Sequence, residues 1–161
     1  MIAGLQDLCD VLPYNLIGLE VGSFAGESAR VFAESGKFLE LHCVDPWKSK
    51  DPKWAEELRS SEARFDALLA EYPNLIFKHK GFLNNVRDRI PKVNFVYVDA
   101  AHGYRDVVKD VYQAMLFAGE GAIYSGHDYT DRWDGVKKAV SFCFPRRKVQ
   151  TFQDGSWMVA P

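Results

Sequence analysis

Three cysteines among 161 residues, Cys9, Cys43 and Cys143, are too few and too far apart for a disulfide framework, and none stands at a zinc-site spacing. Buried free thiols in a reducing compartment are the expectation. Long apolar runs are also missing. None approaches the roughly 18 residues of a membrane span, and the N-terminus has no basic-then-apolar signal profile. A cytoplasmic protein with no membrane partner is expected. Charge of one sign does not prevail either, because 20 Lys and Arg nearly balance 22 Asp and Glu for a net charge of −2. That balance gives no electrostatic reason to expect nucleic acid, and the run Arg146-Arg147-Lys148 reads as a solvated turn. Repeats and low-complexity segments are absent. What the chain does have is 47% apolar and 14% aromatic residues. This is enough to bury one substantial core, so residues 1–161 are expected to form a single domain.

Short β-branched or aromatic runs recur at Asn15–Gly22, Phe38–Val44, Leu75–Lys80, Asn94–Asp99 and Ala122–Ser125, and helical patterns separate them. Tyr104, Val107, Val108, Val111, Tyr112, Met115 and Leu116 make one apolar helix face, broken by Gly119-Glu120-Gly121. The segment Lys48-Ser49-Lys50-Asp51-Pro52 reads as a polar loop. An amphipathic helix follows it, with Trp54, Leu58, Phe65, Leu68, Leu69 and Tyr72 along one side. That helix is expected to pack on the sheet as a crossover, and its front end is placed to act as a mobile lid over the site. A shorter pattern, Val136, Ala139, Val140 and Cys143, stops at Pro145. Two further strand-like runs, Lys148–Phe152 and Ser156–Val159, flank the hairpin signal Gln153-Asp154-Gly155. The alternation predicts an α/β protein with a Rossmann-like, doubly wound, mostly parallel seven-stranded sheet, a C-terminal antiparallel hairpin and a three-layer sandwich.

Between the first strand-like run and the first helical pattern lies Glu20-Val21-Gly22-Ser23-Phe24-Ala25-Gly26-Glu27-Ser28. A strand ending in an acid, then two glycines and a helix start, is how a nucleotide-shaped ligand is held at a strand end. Gly22 would let the backbone approach the ligand, and Gly26 would allow a tight turn into the helix. The spacing E-x-G-x-x-x-G lacks the third glycine of the dinucleotide fingerprint G-x-G-x-x-G. Glu20 would repel a pyrophosphate but suit a cationic group. The segment resembles the first motif of class I S-adenosylmethionine-dependent methyltransferases, whose ligand carries an amino acid and a sulfonium in place of phosphates. A parallel α/β sheet closed by an antiparallel hairpin is also that family's architecture, so the resemblance covers nearly the whole chain.

Ligands of open α/β sheets bind beyond the C-terminal strand ends. Asp45, 19 residues past Gly26, ends the second run. There a carboxylate can accept both ribose hydroxyls, although Asp before Pro is also a common turn opener. Trp47 and Phe82 could flank an adenine, or either could be core. The fourth run ends in Asp99-Ala100-Ala101-His102-Gly103-Tyr104, and the fifth is followed by Gly126-His127-Asp128-Tyr129. An Asp at a buried strand end is costly unless a donor or cation is near. These two segments, with Gly135-Val136 and Ala139-Val140, resemble the paired signatures of macrolide and aminocoumarin sugar O-methyltransferases and cephalosporin hydroxylase-like proteins.

That resemblance implies a cofactor site formed by Glu20, Gly22, Ser23, Gly26, Ser28, Asp45, Trp47, Phe82 and Asp99. It also implies that Asp99 and Asp128 are ligands for a divalent ion, magnesium or manganese, with His127 where several relatives carry a carboxylate. His102, His127 and Asp128 would face the acceptor, with the histidines as candidate bases. His42 and His79 are given no role. The implied activity is S-adenosylmethionine-dependent methyl transfer to an oxygen, less readily a nitrogen, of a small polar molecule, with a homodimer as an open assembly. Two readings stand beside it: a nicotinamide-dependent oxidoreductase on a similar sheet, which the missing glycine and the terminal hairpin oppose, and a non-catalytic relative acting through a partner, which the short chain motivates.

Overall fold

A chain whose strands are separated by helical crossovers can lay its strands parallel, and this one does so around its first strand. The computed structural model describes residues 2–49 and 51–161. In chain order these form α1 (Ile2–Val11), β1 (Leu16–Val21), α2 (Glu27–Glu34), β2 (Phe38–Asp45), α3 (Pro52–Glu71), β3 (Ile76–Lys80), β4 (Val93–Val98), α4 (Tyr104–Met115), β5 (Ala118–Gly126), α5 (Asp134–Cys143), β6 (Gln150–Thr151) and β7 (Trp157–Val159). The sheet has seven strands in the order β3-β2-β1-β4-β5-β7-β6. β1 pairs in parallel with β2 and β4, β4 pairs in parallel with β5, and β7 runs antiparallel to both β5 and β6. The expected doubly wound sheet with its antiparallel end is therefore what forms.

Both faces of the sheet are buried, which is why its central strands read as nearly unbroken apolar runs. Leu19, Val21, Val44, Val96 and Val98 pack on one side with Val107, Val111, Val136 and Val140 of α4 and α5. On the other side Leu41, Cys43, Phe95 and Tyr97 meet Leu5 and Leu8 of α1, Phe32 of α2 and Phe65 and Leu68 of α3. Glu20 points to this second side, in register between Cys43 and Tyr97.

Several expectations need correcting. No helix crosses from β3 to β4; that connection is two 3₁₀ turns, Leu83–Asn85 and Arg87–Arg89. Only Leu83, Val86 and Ile90 are available there to cover the sheet, too narrow a stripe for a packed helix. β5 begins at Ala118 and runs through Gly119-Glu120-Gly121, the stretch read as a helix breaker, with Gly121 at φ +72°. The front of α3 is not core: Trp54 is 46% exposed, and burial on this helix falls on Ser61, Phe65 and Leu68. Asp51 caps α3 by accepting from Lys53 N at 3.0 Å, with Pro52 at the first helical position. Of the loop proposed as a lid, Lys50 lies outside the described residues. Cys9 and Cys43 are buried, and all three cysteines are free. No helix among the described residues is long and apolar enough to cross a membrane.

Candidate active site

The β1–α2 connection is shaped by two left-handed glycines that meet different neighbours. Gly22 has φ +90°, and a Cβ there would lie 2.3 Å from the carbonyl oxygen of Asp99, so the β1 and β4 ends touch backbone to backbone. Gly26 has φ +86°, and its missing Cβ would strike Leu68 Cδ2 at 2.5 Å. It makes the tight turn into α2 expected of it, packs under α3, and does not line the cavity.

Asp45 ties this loop to the next one. Its Oδ2 accepts from Phe24 N at 3.0 Å and its Oδ1 from Trp47 N at 2.6 Å. The carboxylate is 7% exposed and still lines the cavity, so each oxygen keeps a lone pair for a ligand while holding a backbone donor. Burial raises its pKa, and the two backbone bonds oppose that shift. Trp47, a candidate neighbour of an adenine, is core. Its ring packs on Phe65 with centroids 5.0 Å apart, and its Nε1 donates to Phe24 O at 2.7 Å. Phe82, by contrast, is 62% exposed and lines the cavity.

Glu20 does not reach the cavity surface. It has no exposed area, accepts from Ser28 Oγ at 2.5 Å, and its Oε2 has no partner. Burial, ahead of every other cause, pushes its pKa up from 4.5 to about 7, against the lowering by the Ser28 hydroxyl. Ser23, 2% exposed, likewise leaves its Oγ unpartnered and lines the cavity. The unpartnered Ser23 hydroxyl on the cavity wall, next to a Gly22 backbone that no larger residue fits, is what a polar ligand end would complete. The residues present therefore fit S-adenosylmethionine.

The cavity encloses about 980 Å³ and runs along the strand ends, within the range of about 300–1,000 Å³ typical of ligand sites. Gly22, Ser23, Ser28, Asp45, Phe82 and Asp99 line it, and so do His102 and His127. Asp128 stands just behind, in a left-handed conformation with φ +63°, and its carboxylate lies close to both histidines: His102 Nε2 is 2.6 Å from its Oδ2 and His127 Nδ1 is 3.2 Å from its Oδ1. The His102 ring lies on Trp133 at 4.3 Å and 20°. Burial raises the pKa of Asp99 from 3.8 to about 6, with His127 and His102 pulling it down and Asp128 pushing it up. Asp99, His102 and Asp128 each offer one atom within 4.8 Å of the others, a spread that metal–oxygen distances of about 2.0–2.6 Å can bridge. These three fit a divalent ion, with His102 added to the pair read from sequence.

Several contributors were not legible in the sequence. Leu5 of α1, Tyr97 of β4 and Asp154 of the β6–β7 turn all line the same cavity. The only signal for Asp154 was its place in a hairpin turn, which said nothing of where that turn would land.

A family described as "Methyltransferase domain" matches residues 19–129. Among solved structures, the precorrin-6y C5,15-methyltransferase of Geobacter metallireducens GS-15 is similar over 99% of this chain and 85% of its own, with a TM-score of 0.68 at 11% identity. The O-methyltransferase NovP matches over 99% and 78%, with a TM-score of 0.67 at 13% identity. The O-methyltransferase TomG of Streptomyces achromogenes, involved in tomaymycin synthesis and solved in complex with S-adenosylmethionine, matches over 97% and 76%, with a TM-score of 0.62 at 18% identity. At these identities the likeness is one of fold. No curated protein sequence matches the chain.

Proposed function

The chain belongs to this methyltransferase-domain family and is an S-adenosylmethionine-dependent methyltransferase, and from that premise we propose that it methylates an oxygen of a small polar acceptor. The observation that carries the choice of oxygen is the His102–Asp128–His127 arrangement in the same cavity as Gly22, Ser23 and Asp45. A neutral amine can attack a sulfonium methyl without help, whereas a hydroxyl with a pKa of roughly 15 needs its proton removed. Bound S-adenosylmethionine supplies the methyl group on a cationic sulfur. Asp45 would hold the ribose and the Gly22–Ser23 backbone the amino-acid end. His102, with Nε2 committed to Asp128, offers Nδ1 as the base. The rate would come mainly from holding the nucleophile in line. Closer kinship to the macrolide and aminocoumarin sugar O-methyltransferases belongs to this proposal. So do a small-molecule rather than nucleic-acid partner, which the balanced charge supports, and a cytoplasmic location.

S-adenosylhomocysteine should raise Tm, because a ligand that binds only the folded state stabilises it by about 2.7 kcal/mol at one hundred times its Kd. Asp45→Ala should lose that shift. It should also lower the Tm of the ligand-free protein, since Phe24 N and Trp47 N lose their acceptor, at about 1–3 kcal/mol for each buried donor left unmade. A thermal shift with NAD and none with S-adenosylhomocysteine would sink the cofactor assignment.

The clustering of Asp99, His102 and Asp128 favours a second reading of the same chemistry, in which they hold magnesium or manganese. The ion would polarise the acceptor hydroxyl as a Lewis acid. On that reading EDTA abolishes methyl transfer and added manganese or magnesium restores it. Undiminished turnover after chelation leaves the histidines to act alone.

A further inference from the structure

Glycine weakens a helix, because it gives up more backbone freedom on folding than any other residue. α5 nevertheless carries Gly135 as its second residue, without the left-handed φ of Gly22 or Gly26. What excludes a larger residue there is a neighbour. A Cβ on Gly135 would lie 2.6 Å from the carbonyl oxygen of His102 and 2.9 Å from the backbone nitrogen of Tyr104. Both atoms belong to the main chain, so no side chain can swing aside to make room. Ordinary carbon–oxygen contact begins at about 3.3 Å. An added methyl group would therefore push the start of α5 and the β4–α4 loop apart by several tenths of an ångström.

The rest of the β5–α5 connection closes on the same residue. Asp128 Oδ2 stands 2.6 Å from His102 Nε2, and Trp133 lays its ring on the imidazole at 4.3 Å and 20°. His102 is thus met at its ring edge by Asp128, on its ring face by Trp133 and at its carbonyl by Gly135. The connection has little freedom of its own. Thr130 N donates to Asp128 O at 2.8 Å, Trp133 N donates to Thr130 O at 3.1 Å, and Val136 joins Val107 of α4 in the core. Trp133 is the N-cap residue of α5. Whatever separates the first turn of α5 from the β4–α4 loop therefore also lifts the indole off the imidazole.

We propose that Gly135 is a positioning residue for methyl transfer: by letting the start of α5 touch the β4–α4 backbone, it sets where the His102 ring stands against Trp133 and Asp128. The assignment rests on the reading of His102 as a residue that faces the acceptor. It serves a base and a metal ligand alike, since either role needs the ring in place.

Gly135→Ala tests this, with Ser141→Ala, an exposed change on the same helix, as the control. Alanine is the better helix former at both positions, so helix propensity alone would favour both variants. In the ligand-free protein the stacked indole holds the His102 ring-proton resonances upfield, and His102→Gln identifies them by their loss. At constant pH, Gly135→Ala should move them downfield, and Ser141→Ala should leave them in place. Methyl transfer into a small-molecule extract should fall by about tenfold to 10²-fold in Gly135→Ala, as for a misplacement approaching 1 Å. The Kd of S-adenosylhomocysteine should not change, because Gly135 does not line the cavity. A folded Gly135→Ala protein with the His102 resonances unmoved, or with full turnover, overturns the assignment. So does one whose Kd weakens in step with its turnover, which is a general loosening of the fold. Should the variant not fold, the unaltered protein decides. A nuclear Overhauser contact between Gly135 Hα and the Tyr104 amide hydrogen, together with upfield His102 ring protons, upholds the assignment, and the absence of either overturns it. An unaltered protein that neither binds S-adenosylhomocysteine nor transfers methyl groups is a different result. It removes the methyltransferase reading, and the His102 resonances in Gly135→Ala then decide the positioning on their own.

Discussion

Glu20→Gln is expected to make the ligand-free protein more stable at pH 8, by roughly 3 kcal/mol, although it alters the residue on which the β1–α2 motif is built. The sign follows from linkage. Burial raises the folded-state pKa of Glu20 from 4.5 to about 7. Below pH 4.5 both folded and unfolded chains hold the proton and nothing is lost. As pH rises through the window from 4.5 to about 7 the unfolded chain ionises first, so stability falls, levelling above 7. At about 1.4 kcal/mol for each pH unit that window sets the estimate of roughly 3 kcal/mol. A glutamine stays neutral throughout and can still accept from Ser28 Oγ, so the variant should lose this decline. Asp99 and Asp110, both raised to about 6 chiefly by burial, push in the same direction at lower pH and remain in the variant. His79 opposes them. Its pKa is lowered from 6.5 to about 4 by burial, so its contribution is lost as pH falls through that range. Denaturant titrations of both proteins from pH 4 to 8 give the test. Equal stability at pH 8, or a variant that is weaker there, would refute the buried, ion-averse state of Glu20. The cost should appear in binding, where losing a negative charge behind the cavity wall weakens S-adenosylmethionine more than S-adenosylhomocysteine, which lacks the sulfonium charge.

Glu20 also marks where the sequence stopped being legible. Its position at a strand end before two glycines reads as a ligand contact, and that pattern located the cavity correctly. Which way the side chain points depends on strand alternation, and because both sheet faces are buried, no polar residues marked one face as outside. The strand ends themselves were legible, since Asp45, Asp99 and the His127–Asp128 pair each follow a β-branched or aromatic run. Trp47 was not, because an aromatic just past a strand end looks the same whether it meets a ligand or, as here, Phe65 of α3. The role of α1 was invisible for a related reason. Leu5, Leu8, Cys9 and Leu12 form an apolar stripe, but what makes α1 part of the site is Gly4 meeting Asp154, a contact across nearly the whole chain. Local pattern fixes elements, and long-range packing decides which side chains face the ligand.

His102→Gln is expected to lower methyl transfer by about 10²–10⁴-fold, the range for a lost general base, with cofactor affinity unchanged. The ring is aimed by two contacts: Asp128 Oδ2 at 2.6 Å from Nε2, and Trp133 stacked at 4.3 Å. Since the carboxylate only accepts, it holds the hydrogen on Nε2 and leaves the Nδ1 lone pair for the acceptor hydroxyl. Asp128 is itself over-determined, sitting at φ +63° with its carbonyl accepting from Thr130 N at 2.8 Å. Asp128→Asn keeps that backbone but can turn an amide N–H toward Nε2, which would favour the wrong tautomer. Its loss should match that of His102→Gln, and the double variant should be no worse than either single one, because the two residues act as a unit. Transfer from methyl-labelled S-adenosylmethionine into a small-molecule extract gives the rates, and calorimetry with S-adenosylhomocysteine confirms that the cofactor still binds. If the losses instead multiply and EDTA alone removes all transfer, the carboxylates and His102 serve as ligands to an ion rather than as a base and its positioning partner. If His102→Gln transfers methyl groups at the original rate in the presence of EDTA, neither role is correct, and the proton leaves through His127.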